Sequence, residues 1–208
     1  MDRLGETILQ PLGSRLVGRR VVLRPLRGED YLAWREVRTR CRDWLVPWEP
    51  RPAGMPRPSE DRQSFVARCS SRDRDRQLGT GYGFGMFVGE RFAGEINLSS
   101  IQRGAFQNSY VGYWIDQALA GNGYVPEACV VLFGFAFEQL GLHRLQVAIV
   151  PRNGASRAVA RKLHLRGEGI ACQYLEIDGR WEDHVRYAIT AEEWVERRDR
   201  YRREWLEG

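Results

Sequence analysis

The 208-residue chain contains no apolar run near 20 residues, so no stretch of it reads as a membrane span. Its N-terminus, MDRLGETILQPLGSRLVGRR, has no apolar signal core, which points to a cytoplasmic protein. There is no CxxC pair. Cys41, Cys69, Cys129 and Cys172 are scattered, so neither a disulfide framework nor a zinc site is expected, and Cys129 reads as packing within an apolar helix. Lysine is nearly missing: Lys162 stands alone, and every other Lys/Arg position is arginine. The net charge is +5, but basic and acidic residues interleave, as in RDRDR at 72–76 and ERRDRYRRE at 196–204. Such runs are solvated faces, not a nucleic-acid stripe, and no direct DNA binding is expected. No internal repeat occurs, and the GxxxxGK[ST] phosphate loop is absent.

What the chain does have is 43% hydrophobic residues, enough for a core. Val21–Leu23 lies in a short β-branched run, RVVLRP, expected as a strand over 20–25. Tyr31, Trp34 and Val37 are at helical spacing over 30–40. Five prolines between Pro47 and Pro58 exclude helix and sheet interior there, so this segment is expected to be an ordered loop or lid. Ser59 is placed as the cap of a second helix running to about Ser71. Strands follow at 84–88, 92–101 and 109–115, then a helix over 125–140, a strand at 145–150 and a short helix at 156–163. A hairpin around Asp178-Gly179 comes next, over 169–177 and 181–189. Thr190 with Glu193 forms a capping box for a last helix, 191–206. The fold expected is mixed α/β (α+β), three-layered, with a largely antiparallel central sheet, as a single domain over 1–208 with its core at about 18–190. It lacks the regular alternation of a dinucleotide fold, and no acidic residue closes a βαβ unit after the glycines.

The most informative stretch is VGYWIDQALAGNGYVPE at 111–127. Strand, Gly121-x-Gly123 and helix together can hold a phosphate. Glycines turn without a Cβ clash, and the first N–H groups of a helix have no intrahelical partner. An ordinary tight turn uses the same residues, so the element alone does not decide.

Three features together resemble the GNAT family of N-acetyltransferases: the strand–Gly121-x-Gly123–helix element with Tyr124 and Glu127, the segment VPRNGASRAVARKL at 150–163, and the order of elements. GEINLSSIQRGAFQNSYVGYWID (94–116) and WEDHVRYAI (181–189) resemble the RimJ-type branch, which acetylates the N-terminal alanine or serine of ribosomal proteins. The resemblance covers about residues 18–190. One departure is Ala118, where the family's acyl-CoA signature carries Gln or Arg.

The resemblance implies acetyl-CoA as co-substrate with no metal, and a sheet that splays where pantetheine enters. Trp114, Ile115, Gly121, Asn122, Gly123, Tyr124 and Asn153 are then the cofactor-binding candidates. A free amine attacks the thioester directly, so the reaction needs a base, an oxyanion donor and a proton source for the departing thiolate. Ser156 is the candidate acid, with a helix N-cap as its competing role, and the backbone near Tyr113 is the candidate oxyanion donor. Glu95 leads the candidate bases, ahead of Glu176, Asp183 and His184. A water chain would leave no trace in the sequence. Asn97, Arg103, Gln107 and Trp48 are placed at the acceptor, with Trp44 walling the same groove.

The acceptor implied is a protein N-terminal amine, a ribosomal protein among the candidates. A small amine (aminoglycoside, polyamine or amino acid) is the second reading, and a non-catalytic acyl-CoA-binding module the third. Trp194 and Tyr201, seven apart on the last helix, can dock on the body or on a second copy in a homodimer.

Overall fold

A computed structural model describes residues 15–207. The stretch MDRLGETILQPLGS, read above as lacking a signal core, lies outside the described residues. The described elements are β1 (Leu16–Val17), β2 (Val21–Arg24), α1 (Tyr31–Arg40), α2 (Arg42–Leu45), α3 (Arg62–Leu78), β3 (Tyr82–Val88), β4 (Arg91–Gln102), β5 (Asn108–Ile115), α4 (Tyr124–Gly134), β6 (Arg144–Ile149), α5 (Gly154–Lys162), β7 (Arg166–Ile177), β8 (Arg180–Thr190) and α6 (Ala191–Tyr201). The strands form one eight-stranded sheet in the order β1-β2-β3-β4-β5-β6-β8-β7. Every neighbouring pair is antiparallel except β5 with β6. This is the mixed, mostly antiparallel α/β sheet that the sequence pattern predicts.

Two hydrophobic layers flank the sheet. Alternation along the strands divides their side chains between the two faces. On one face Phe84, Ile96, Val111 and Leu145 pack with α4. On the other, Phe87 and Phe92 pack with Tyr31, Trp34, Val37 and Phe65 of α1 and α3. Helix α4 is buried almost all round, from Val125 to Phe133, which is why its sequence is apolar without a polar stripe. Cys129 is buried in it, and burial pushes its thiol up, as suits a packing residue.

Two caps differ from the sequence reading. Helix α3 begins later and runs longer, with Asp61 as its N-cap accepting from the Ser64 N–H at 2.8 Å. Ser59 instead donates its hydroxyl to Asp61. Helix α5 is capped by Asn153, whose Oδ1 accepts the Ser156 N–H at 3.0 Å, so Ser156 lies in the first turn. In both places a side-chain amide or carboxylate two or three residues away outcompeted the serine hydroxyl.

The expected capping box of α6 is present, Thr190 and Glu193 bonding reciprocally. The aromatic stripe of α6 docks on the chain's own body. Trp194 donates to Glu138 at 3.0 Å and stacks on Phe137, and the Tyr201 hydroxyl donates to the Leu163 carbonyl. Both rings are buried.

The proline-rich segment is ordered as expected. Pro50 bridges Ile177, and the Arg51 N–H donates to the Glu176 carbonyl at 2.9 Å. Arg51 and Arg57 ion-pair with Asp178 at 2.6 and 2.9 Å. The loop is thereby fastened to the β7–β8 turn.

Candidate active site

The parallel pairing of β5 with β6 covers only Asn108↔Arg144, Ser109↔Leu145 and Tyr110↔Gln146. Beyond it β5 stays on β4 as far as Gly94↔Ile115, and β6 stays on β8 as far as Ile149↔Val185. The two central strands therefore part, and a cleft of about 950 Å³ opens between them. It is lined by Val111–Ile115 on one side and Val147–Val150 on the other, with α4 and α5 at one end. The backbone of β5 facing the gap is an unpaired sheet edge inside the molecule, where a ligand with amide groups can add as a strand.

At one end of the cleft lies the glycine turn. Gly121 and Gly123 have φ of +84° and +85°, the left-handed region that glycine enters freely. Gly123 is the N-cap of α4, so the first N–H groups of that helix open toward the cleft. The turn is braced from three directions. The buried Glu127 carboxylate accepts the Val21 N–H at 3.0 Å and the Arg20 Nε–H at 2.8 Å. Arg20 also donates to the Asn122 carbonyl at 3.1 Å. Asp116, buried and ion-paired with Arg40, accepts the Ala118 N–H at 3.1 Å and the Cys41 thiol at 3.3 Å. Burial drives the Asp116 carboxyl up, and Arg40 with these hydrogen bonds holds it below the usual range. Leu119–Gly121 and Gly123–Pro126 line the cleft; Ala118 does not. Asn122 does not line it either: its amide donates to the Leu119 and Ala120 carbonyls at 3.2 and 3.3 Å, which shapes the turn from within.

In the middle of the cleft the Tyr113 hydroxyl lies 2.8 Å from the Ser156 Oγ and 3.3 Å from the Ser156 carbonyl. Burial, with Cys129 and Tyr187 close by, pushes the phenol well up, against the opposing hydrogen bond with Ser156. Tyr113 is therefore a neutral donor. Asn153 lines the cleft beside this pair, its side chain occupied as the α5 cap.

The opposite face of the sheet carries the other candidates. Glu95 pairs with Trp114 across β4–β5, and Asn97 with Gly112. A Cβ on Gly112 would meet Asn97 Oδ1 at 2.7 Å, so the Asn97 amide lies over β5 because residue 112 has no side chain. Trp48 lines the same part, its ring under the Arg152 guanidinium at 5.2 Å. Trp44 also lines it, and its indole N–H donates to the last β5 carbonyl, Ile115, at 3.2 Å.

Three expectations need correction. Arg103 and Gln107 do not line the cleft. Arg103 donates to the Leu140 carbonyl at 2.8 Å and to Gln107 at 3.2 Å, and the Gln107 carbonyl receives the His143 and Arg144 N–H groups. These two residues close the β4–β5 turn against the start of β6. Glu95 reaches the cleft, but its carboxylate is already surrounded. It accepts from Trp34 Nε1 at 2.7 Å and from Arg68 at 3.0 Å, and it is ion-paired with Arg72. Burial alone drives that carboxyl up, yet the Arg72 and Arg68 charges and the hydrogen bonds hold it below the usual carboxylate range. A carboxylate so stabilised is a weak proton acceptor. Sequence reading missed Trp34, Arg68 and Arg72. The available signal was the i,i+4 spacing of the two arginines on one helix face. Glu176 and Asp183 are also committed, accepting the Ala53 and Gln173 N–H groups. Among the described residues no group of three or more His, Cys, Asp or Glu could hold a metal ion, and no helix is long and apolar enough to cross a membrane.

A family model described as an acetyltransferase (GNAT) domain matches residues 20–166. The chain belongs to the GNAT acetyltransferase family. It is accordingly an acetyl-CoA-dependent N-acetyltransferase of that type. Over 186 residues it is 32% identical to the [ribosomal protein uS5]-alanine N-acetyltransferase of Escherichia coli, a match spanning 87% of this chain and 93% of that one. Over 110 residues it is 40% identical to YjcK of Bacillus subtilis, described as a probable N-acetyltransferase, spanning 52% of this chain and 61% of that one. Its fold matches a solved structure of Mycobacterium smegmatis RimJ in complex with CoA-disulfide, with TM-score 0.86 and 30% identity over 92% of this chain and 94% of the other. The GNAT assignment accounts for the parted strands and the glycine turn without further assumption.

Proposed function

We propose that this acetyltransferase modifies the N-terminal amine of a protein, with alanine as the first residue and a ribosomal protein as the acceptor, which would place it in the cytoplasm. The 32% identity to the uS5-alanine enzyme supports that reading. The observation that carries it is the charge of the acceptor side. Glu49, Glu95 and Arg72 line the cleft, and its carboxylates already have arginines: Arg38 holds Glu49 together with Glu60 behind it, and Arg68 and Arg72 hold Glu95. A polyamine or aminoglycoside needs free carboxylates, whereas a peptide needs amide partners and small apolar contacts. The Asn97 amide, Ser99 and the Trp44 and Trp48 rings, all lining the cleft, suit the peptide.

In this reading acetyl-CoA lies with its pyrophosphate on the amides of Gly121–Val125 and its pantetheine arm along Tyr113, Trp114 and Ile115. The acceptor amine attacks the thioester carbon from the face carrying Asn97. A β5 backbone N–H near Tyr113 stabilises the oxyanion. The sulfur then departs toward the Tyr113–Ser156 pair, which donates a proton to it. Glu95 fixes Arg68, Arg72 and Trp34 as a wall and is not the base.

The testing experiment is thiol release from acetyl-CoA with short peptides differing only in the first residue, beside spermidine and an aminoglycoside. Release with alanine-first peptides well above the rest is expected. Release with the small amines alone overturns the acceptor assignment. A second prediction concerns the floor. Gly112→Ala puts a methyl against Asn97 Oδ1, so the acceptor KM should rise about tenfold while CoA affinity stays within twofold, as measured by steady-state kinetics and calorimetry.

A further inference from the structure

We infer that His184 is the catalytic base that takes the proton from the attacking amine; this rests on the N-acetyltransferase reading above.

His184 is only 2% exposed yet lines the cleft. Its register explains how. In the β6–β8 ladder Val185 stands opposite Ile149, the last residue of β6, so His184 lies one position further, where β6 has ended. Along β5, Tyr110 is level with Gln146, which carries Trp114 to the level of the position following Ile149. His184 and Trp114 thus stand level on opposite sides of the opening, beyond the last paired residues of β5 and β6. By strand alternation they share the face that bears Glu95 and Asn97, opposite to Tyr113.

The Nδ1 of His184 lies 2.9 Å from the Glu182 carbonyl oxygen. A carbonyl only accepts, so Nδ1 carries the hydrogen and the neutral ring keeps its lone pair on Nε2. The ring is held edge-on to Tyr174, with centroids 5.6 Å apart. Of the charged residues two positions away on the same strand, Glu182 is ion-paired with Arg152 at 2.8 Å, and Arg186 lies over the Tyr174 ring at 4.9 Å. The remaining candidates are committed elsewhere: Glu95 to two arginines and an indole, Glu176 and Asp183 to backbone N–H groups.

The step balances without a further reagent. The incoming ammonium gives one proton to Nε2; the neutral nitrogen then bonds to the acetyl carbon, the C–S bond breaks, and the second nitrogen proton is released to water. The thiolate takes a proton from the Tyr113–Ser156 pair. His184 and that pair then return to their starting states by exchange with water. Base and acid sit on opposite faces of the sheet, so neither neutralises the other before reaction.

The test compares His184→Ala and His184→Gln with the unaltered protein. CoA affinity is measured by calorimetry, and turnover with an alanine-first peptide and with the same peptide carrying an aminooxyacetyl cap, whose amine is already neutral. CoA affinity should be unchanged. Turnover of the alanine peptide should fall about 100-fold, the loss on the aminooxy peptide should be much smaller, and added imidazole should restore part of the Ala variant's activity. Unchanged turnover, or equal losses on both acceptors without imidazole rescue, overturns the assignment. If His184→Ala does not bind CoA, His184→Gln carries the comparison. If the unaltered protein acetylates only small amines, the acceptor proposal fails while the base is tested on those amines.

Discussion

Glu95→Ala is expected to lower stability by about 3 kcal/mol, the largest stability effect of any substitution considered, because it leaves two partly buried guanidinium charges without their counter-ion. Glu95 is 3% exposed at the centre of the α1–α3 layer, and Arg68, Arg72 and the Trp34 indole all point at its carboxylate. Arg68 Nη2 is buried without a hydrogen-bond partner among the described residues, so the bonds from Nη1 to Glu95 are what hold that guanidinium. Gln in place of Glu keeps the shape but not the charge, and should cost less than Ala while still destabilising. The sign with pH follows from the carboxyl being held below its ordinary range. Its contribution is complete above the unfolded carboxylate value, about 4.3, and is lost as pH falls through the lower folded value. Urea unfolding at neutral and acid pH checks both statements. The gap between the native protein and Glu95→Ala should be widest at neutral pH and narrow on acidification. A gap that does not change with pH would mean that the carboxylate is not ionised in the folded protein.

Removal of both hydroxyls at the donor centre is expected to give a catalytic loss of the same order as loss of the His184 imidazole. Tyr113→Phe and Ser156→Ala delete the two hydroxyls that lie 2.8 Å apart beside the parted strands. Each alone should lower kcat about 10–100-fold, and the double variant not much more than the stronger single, because residues that act as a unit are not additive. Acetyl-CoA affinity should change less than threefold, since the glycine turn and the free β5 edge are untouched. The Tyr113 phenol is held protonated by burial, so the loss should not diminish as pH is raised through neutrality. Single-turnover kinetics with calorimetry on the same variants separates the two quantities. A rise in Kd with unchanged kcat would make the pair a binding contact only.

Much of the fold is legible in the sequence, and the reasons are local. Strand alternation and turn chemistry marked β3 to β8 within a residue or two, except that β7 begins three residues earlier than expected, since Gly89-Glu90-Arg91 and Asp178-Gly179 admit little but a hairpin. The glycine turn was readable because two left-handed residues before an apolar helix leave few alternatives. The site's electrostatics were not readable. Glu95 looks like a free acid in GEINL, and only the approach of α3 from 23 and 27 residues away converts it into a structural ion. Arg103 and Gln107 looked like groove residues because they adjoin β4 and β5. The register shift between Ser99 and Gln102 turns that end of the pair toward Leu140 and away from the cleft. His184 was one of four candidates of similar appearance. It separates from Glu176 and Asp183 only when hydrogen-bond partners are assigned atom by atom.

The central claim is that acetyl-CoA occupies the gap between β5 and β6, with its phosphates on the glycine turn and its arm on the free edge of β5. Amide hydrogen exchange with and without saturating CoA tests it most directly. The account predicts slowed exchange concentrated at residues 111–115 and 121–125, with little change along β7 or on the outer face of α3. Protection elsewhere, or none at residues 111–115 under saturating CoA, would contradict it.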